Sequence, residues 1–192
     1  MAQSLLKRQR WLHSRLTERR ENGEEGFTLI ELLIVLLIIG ILLAIAIPTY
    51  LSVVGTASTN TALTNLQTAI TAGDTIYVNS GASYPVQATF VADLGTQADG
   101  ITWENAAPAI KNTNQVSVDV VNSGEVTYAA EGSNSTCFYV DDVKAFNGTS
   151  TAAVVSGETT LGTYYASGAA GAKGCTAPAA AITGATWSTQ AP

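Results

Sequence analysis

The chain has 192 residues and a formal net charge of −6. Six of its nine basic residues lie before Gly26. The body after Gly26 has three lysines and 11 acidic residues, so its net charge is −8. A body this acidic, without a continuous basic patch, argues against phosphate-driven nucleic-acid binding as its main role. The lack of any histidine after His13 excludes Ser-His-Asp and Cys-His catalysis and the usual His-containing zinc sites, so we predict no catalytic residue, no metal site and no cofactor.

Residues 1–26 form a leader rich in basic residues, and an apolar run follows from Phe27 to Ile47. The run is interrupted only by Thr28, Glu31 and Gly40. As a helix, these 21 residues would span about 30 Å, which is the thickness of a bilayer core. The basic residues near the run all lie on its N-terminal side, so the positive-inside rule predicts a cytoplasmic leader and a body outside the membrane.

Composition alone leaves three interpretations of the apolar run open. Ala44-Ile45-Ala46 supports a cleavable secretory signal peptide, but the run is longer than the 7–15 residues typical of such a peptide, and no polar segment follows it. The second interpretation is a permanent membrane anchor. The third is a precursor that is cut before the helix and keeps it.

Glu31 favours the third interpretation. A carboxylate in an apolar helix costs up to about 2.5–3.5 kcal/mol near the bilayer centre, so it needs a partner. Cleavage after Gly26 would create an α-amino group on Phe27 that is largely protonated at neutral pH. Phe27 and Glu31 are spaced i, i+4, which predicts a shared helix face and allows the amine of one subunit to pair with Glu31 of a neighbour. The alternative is a carboxylate that is protonated or lies at the membrane interface.

The string from Gly26 to Val35, GFTLIELLIV, resembles the processing signal of type IV prepilins and the related pseudopilins. Glycine precedes the cut, phenylalanine follows it, Glu31 is the fifth mature residue, and Pro48 stands where many pilins carry proline. The resemblance covers residues 26–50. It implies that a membrane aspartyl prepilin peptidase cuts after Gly26 on the cytoplasmic side and N-methylates Phe27.

We predict one helix from about Phe27 to Val78, with residues 27–50 as a membrane and filament-core segment and 51–78 as an amphipathic half. The predicted apolar stripe of the second half comprises Leu51, Val54, Leu63, Leu66, Ala69, Ile70, Ile76 and Tyr77. Gly40 and Pro48 weaken the helix, and we predict a kink there and a segment 40–48 that loosens in the filament.

Residues 79–192 are predicted to form a globular head with an antiparallel sheet, which makes the fold class α+β with a long N-terminal helix. Residues 79–114 have the turn signals of a loop region in which Phe90 and Trp103 pack. Alternating patterns then predict strands at 115–121 and 125–130. Phe138, Tyr139 and Val140 indicate a third strand at 137–143, and Thr163-Tyr164-Tyr165 indicates a fourth. The first two would form a hairpin around Asn122-Ser123-Gly124.

Cys137 and Cys175 are the only cysteines, and an even number in an exported region indicates one disulfide. It would close a loop, residues 137–175, and the chain-entropy model gives about 3–4 kcal/mol for its stabilisation. Its position resembles the C-terminal disulfide loop of many type IV pilins. Asp141-Asp142 lacks further calcium ligands in suitable spacing, so we expect a solvated turn there. Trp187 is expected to fix an otherwise mobile tail.

The resemblance implies a structural subunit of a type IV pilus rather than an enzyme, with adhesion, twitching motility or DNA uptake as family functions. The alternative within the same resemblance is a pseudopilin of a type II secretion system. The implied partners are copies of this chain or other pilins, the prepilin peptidase, an assembly platform and its ATPase. The chain would span the cytoplasmic membrane once, with its leader in the cytoplasm, and then enter an extracellular pilus.

Overall fold

The computed structural model of the protein describes residues 26–105, 113–145, 160–169, 174–177 and 187–191. Two α-helices are followed by strands and a short 3-10 helix, Ser133–Ser135, that precedes β4. The helices are α1, Leu29–Asn79, and α2, Gln87–Gln97. The strands are β1, Thr102–Asn105; β2, Gln115–Asn122; β3, Glu125–Glu131; β4, Thr136–Val143; and β5, Gly162–Ala169. The predicted α+β architecture is therefore confirmed.

The chain divides into two compact units, Met1–Thr49 and Tyr50–Pro192, and α1 contributes residues to both. In the described part of the first unit, every residue is exposed. Of the described helices, α1 alone is long and apolar enough to cross a membrane. Its bounds agree with the predicted helix to within two residues at each end.

In the second unit, α1 buries one side in the main hydrophobic core. The buried side chains recur at intervals of three or four residues and comprise Ala62, Leu66, Ala69, Ala72 and Ile76. The predicted stripe was wrong at its start, since Leu51 and Val54 are 63% and 46% exposed. Their spacing fits an amphipathic helix, but periodicity alone does not show where the partner surface begins.

A glycine allows α1 to approach the sheet closely. Gly73 is buried in the helix, and a Cβ added there would overlap the Tyr128 hydroxyl and lie 3.4 Å from the Phe90 ring. Gly95 of α2 is exposed, and a Cβ there would meet no atom within 4 Å. These two helical glycines therefore form a matched pair for substitution.

We predict that Gly73→Ala destabilises the fold by about 1–3 kcal/mol, because overpacking against two buried rings outweighs the gain in helix propensity. Gly95→Ala, in contrast, is expected to stabilise it by about 1 kcal/mol through helix propensity alone. Thermal unfolding followed by near-UV circular dichroism would measure both changes. A stabilised Gly73→Ala variant would contradict the packing argument.

The sheet has five strands in the order β1-β2-β3-β4-β5. Pairing is antiparallel from β2 to β5, as predicted. β1 pairs with β2 in parallel, so the prediction of a wholly antiparallel sheet was wrong at this edge. The predicted hairpin is confirmed, with Val120 opposite Val126 and the Asn122 side chain accepting a hydrogen bond from the Gly124 N–H at 2.8 Å.

The prediction of a loop region over residues 79–114 was wrong. It contains α2 and β1, although the predicted packing is confirmed, since Phe90 is fully buried and Trp103 packs against the core. α2 buries Phe90 and Leu94, one helical turn apart, and its other residues are mostly small or polar. Such a sparse apolar pattern does not identify a helix.

The other side of the sheet carries a second cluster around the predicted disulfide. Cys137 of β4 is bonded to Cys175 with a Cα–Cα distance of 5.4 Å, and both residues are fully buried. The segment after the bond reaches β2, where the Ala177 N–H donates to Ser117 Oγ at 2.9 Å. Trp187 packs against this cluster as predicted, and Ser188 forms an antiparallel bridge with Tyr165 of β5.

Candidate processing and assembly site

The predicted cleavage site lies directly before α1. Gly26, Phe27 and Thr28 have no regular secondary structure, and the helix begins at Leu29. The Phe27 side chain is 87% exposed. The Gly26–Phe27 peptide bond is therefore outside the helical hydrogen-bond pattern.

Thr28 and Glu31 form a reciprocal capping box at the start of α1. Thr28 Oγ1 accepts a hydrogen bond from the Glu31 N–H at 3.2 Å. Glu31 Oε2 accepts from the Thr28 N–H at 2.9 Å and from the Thr28 hydroxyl at 2.6 Å. Two backbone N–H groups that have no partner within the helix are thus satisfied. The signal was present in the sequence as Thr-x-x-Glu, but our sequence analysis did not identify it.

The capping box changes the expected role of Glu31 in the single chain. Phe27 precedes the helix, so the predicted helix face shared by Phe27 and Glu31 was wrong for this chain. Instead, the Glu31 carboxylate binds Thr28 one turn earlier, near the positive end of the helix dipole. Pairing of Glu31 with a neighbouring N-terminus stays a prediction, and it now has to compete with this local partner.

The helix continues through both predicted weak points, Gly40 and Pro48. Proline provides no N–H for the helical pattern, and the next residue, Thr49, donates its hydroxyl to the carbonyls of Ile45 at 3.2 Å and Ala46 at 2.9 Å. These side-chain bonds reinforce the turn before Thr49 but do not replace the missing one, since the carbonyl that an N–H of residue 48 would reach is that of Ala44. A kink at these residues, and loosening of 40–48 in a filament, stay predictions.

The second unit contains a buried polar cluster centred on Asp142. Its carboxylate accepts hydrogen bonds from the Tyr84 hydroxyl at 2.5 Å and the Thr163 hydroxyl at 3.0 Å. Lys144 Nζ lies 3.1 Å from Asp142 Oδ1 and 2.8 Å from Asp74 Oδ1. The cluster therefore links α1, the segment before α2, β4 and β5.

Asp141 and Asp142 are both fully buried in β4, so the predicted solvated turn was wrong. Burial raises the pKa of Asp142, although Tyr84 and Lys144 act in the opposite direction. Burial together with the negative charge of Asp142 raises the pKa of the Tyr84 hydroxyl, which therefore remains a donor. Within the described ranges, no group of three or more His, Cys, Asp or Glu side chains could hold a metal ion.

The cleavage motif and the polar cluster belong to different compact units, and each has its own chemistry. The described residues of the first unit provide an exposed peptide bond and a capped, apolar helix. The polar cluster provides hydrogen bonds and ion pairs that hold packed elements together.

Comparison with known families identifies the prokaryotic N-terminal methylation motif at residues 22–47. The match includes Gly26, Phe27 and Glu31 and extends over the apolar run as far as Ile47. No solved structure matches the chain. The chain therefore carries the N-terminal leader signature that is shared by type IV pilins and pseudopilins.

Proposed function

We propose that the chain is the precursor of a structural subunit of a type IV pilus. The observation that carries this proposal is the methylation motif at residues 22–47, followed by a helix whose apolar side chains are exposed. An apolar helix segment that is exposed among the described residues of its own chain requires lipid or other subunits around it. The motif implies processing by a prepilin peptidase and assembly into a filament. The helix would therefore be surrounded first by lipid and then by other subunits.

The proposed sequence of events begins in the membrane. The peptidase cuts the exposed bond after Gly26, removes the leader residues 1–26 and N-methylates Phe27. The helix then leaves the lipid and joins other apolar helices in the filament, driven by an assembly platform and its ATPase. Glu31 exchanges its bonds to Thr28 for the amine of a neighbouring Phe27, so its charge is neutralised only in the correct register.

A pseudopilin of a type II secretion system would share the motif and the helix. The disulfide between Cys137 and Cys175 supports the pilus, because it closes a loop like the C-terminal loop of many type IV pilins and a covalent bond resists shear on the cell surface. Adhesion, twitching motility or DNA uptake would follow from the family. Immunogold labelling of surface filaments, compared with secretion in a deletion strain, would separate the two proposals.

Processing is tested by the N-terminal residue and intact mass of the protein from its native host. We expect a chain that begins at Phe27 and carries one additional methyl group. A chain that begins at Ile47, directly after Ala44-Ile45-Ala46, would indicate a secretory signal peptide instead. A chain that still contains residues 1–26 would indicate a permanent anchor, and either result would contradict the proposed function.

A further inference from the structure

The sheet of the head has two edges at which backbone groups could pair with a strand of another molecule. β1 pairs with β2 over Thr102–Asn105, and this register ends at Val118 of β2. β2 continues to Asn122, so its last residues extend beyond the described pairing with β1. At the opposite edge, β5 is the last strand of the sheet. Unpaired strand edges promote association between sheets, and native proteins normally block them.

The side-chain amide of Gln87 occupies the edge of β2 directly after β1. Its Nε2 donates to the Val118 carbonyl at 2.7 Å, and its Oε1 accepts from the Val120 N–H at 2.6 Å. In a parallel pair, a residue donates to the carbonyl before its partner and accepts from the N–H after it. The Gln87 amide therefore takes the place of a further β1 residue opposite Asp119.

Two elements hold this amide in place. Gln87 is the first residue of α2, and that helix is fixed to the core by the buried side chains of Phe90 and Leu94. Nε2 of Gln87 also donates to Oδ1 of Asn105, the last residue of β1, at 3.2 Å. Gln87 is half-buried, so its hydrogen bonds are stronger than they would be in open water. The amide is thus a built part of the sheet edge.

The segment 187–191 has the corresponding position at β5. The Ser188 N–H donates to the Tyr165 carbonyl at 2.9 Å, and the Tyr165 N–H donates to the Ser188 carbonyl at 2.7 Å. Trp187 packs against the two clusters that contain Cys137 and Val143, and it fixes the segment to the sheet. The middle of β5 is therefore paired with a segment of the same chain.

We propose that Gln87 and residues 187–191 are edge locks, which keep the sheets of two heads from pairing with each other. The locked strands carry residues that favour pairing, such as Val120 and Val121 in β2 and Tyr165 in β5. A second copy of this chain has the same edges, and it is the partner that each lock excludes. Both locks are contacts within one chain, so they do not depend on the proposed function.

The lock at β2 is tested by Gln87→Leu, which removes the amide and keeps a side chain of similar size. Gln97→Leu is the matched control, because it makes the same change at the exposed last residue of α2. Ser188→Pro removes the N–H that Ser188 donates to Tyr165. The full-length chains are solubilised in detergent, and near-UV circular dichroism checks their fold. Hydrogen exchange of the Val120 amide is followed by NMR, and particle mass by light scattering.

We expect the Val120 amide to be protected from exchange in the wild type and to exchange about tenfold faster in Gln87→Leu. The double variant with Ser188→Pro should form larger particles with the infrared signal of an intermolecular sheet, whereas Gln97→Leu should match the wild type. An unprotected Val120 amide in the wild type would overturn the inference, whether or not the variants fold. A folded double variant with the particle mass of the wild type, or equal association of Gln97→Leu, would also overturn it.

Discussion

Replacing Glu31 with glutamine is expected to leave α1 and its membrane insertion intact while abolishing filaments. Glutamine also serves as the third residue of a capping box, so it can accept the hydrogen bonds that Thr28 now donates to Glu31. The variant cannot neutralise the amine of a neighbouring Phe27. Leaving one member of a buried ion pair without its partner costs about 3–5 kcal/mol, which is more than about a hundredfold in association.

Thr28→Ala is the matched control for this experiment. It removes the hydroxyl that caps the helix, at a cost of about 1 kcal/mol, but keeps the charge of Glu31. Membrane fractionation and the yield of sheared filaments should be measured for both variants. We expect the alanine variant to be piliated and the glutamine variant not. Piliation by Glu31→Gln would show that the charge of Glu31 is not required. Loss of filaments in Thr28→Ala but not in Glu31→Gln would show that the helix cap is required instead.

The two roles of Glu31 follow from one local geometry. In the single chain, the carboxylate binds Thr28 and begins the helix within three residues of the proposed cut. After the cut, a positive amine would lie on Phe27, directly before the capping residue. A neighbouring amine then competes with two N-terminal hydrogen bonds rather than with lipid. Assembly would exchange one satisfied state for another, which keeps the charge from ever being buried alone.

Local patterns made most of the fold predictable. The apolar run and the three-to-four spacing that follows it identified α1. Alternating residues identified β2 and β3, and short runs of aromatic and β-branched residues identified β4 and β5. β1 was missed because it has four residues and depends on parallel pairing with β2, which no local pattern encodes. The start of the buried stripe was also misplaced, since only the folded head determines that α1 is buried from Ala62 onward.

The site was predictable where it is contiguous in sequence and not where folding assembles it. Gly26, Phe27 and Glu31 lie within one motif, so their proposed roles could be assigned from the residues alone. The polar cluster brings together Asp74 and Asp142, which lie far apart in the sequence. In the residues next to Asp142, only the predicted strand indicates that its side chain could be buried. A pair of aspartates is also typical of a surface turn, which explains the wrong prediction.

Replacing Lys144 with methionine is expected to destabilise the head, and to do so less as the pH falls. Lys144 is the cation that approaches both Asp142, whose side chain is fully buried, and Asp74. Although burial acts against it, the two carboxylates raise the pKa of Lys144, so it is charged at neutral pH. Its loss leaves the Asp142 carboxylate, among the described residues, with the hydroxyls of Tyr84 and Thr163 as its partners. We expect Lys144→Met to lower the free energy of unfolding by about 3 kcal/mol. This is the low end of the cost of breaking a buried ion pair, because the Lys144 side chain is 29% exposed.

The pH dependence follows from the direction of the pKa shift. Burial already raises the pKa of Asp142 above its value in the unfolded chain, so its ionisation costs stability as the pH rises through the window between the two values. Removing the cation raises that pKa further and widens the window. The destabilisation should therefore be full at neutral pH and smallest near pH 4, around the ordinary pKa of aspartate, about 3.9.

Thermal unfolding of the detergent-solubilised chain at pH 4 and pH 7, followed by the near-UV signal of the buried tyrosines, measures both effects. For a chain of this length, each kcal/mol corresponds to about 2–4 °C in Tm. Adding Asp142→Asn to Lys144→Met should restore most of the loss at neutral pH, since the amide carries no charge. Tyr84 and Thr163 reach different oxygens of Asp142, so the amide oxygen can accept from one hydroxyl and the amide NH2 can donate to the oxygen of the other. An equal loss at both pH values, or no recovery in the double variant, would mean that Lys144 acts through packing of its aliphatic chain and not through the charge of Asp142.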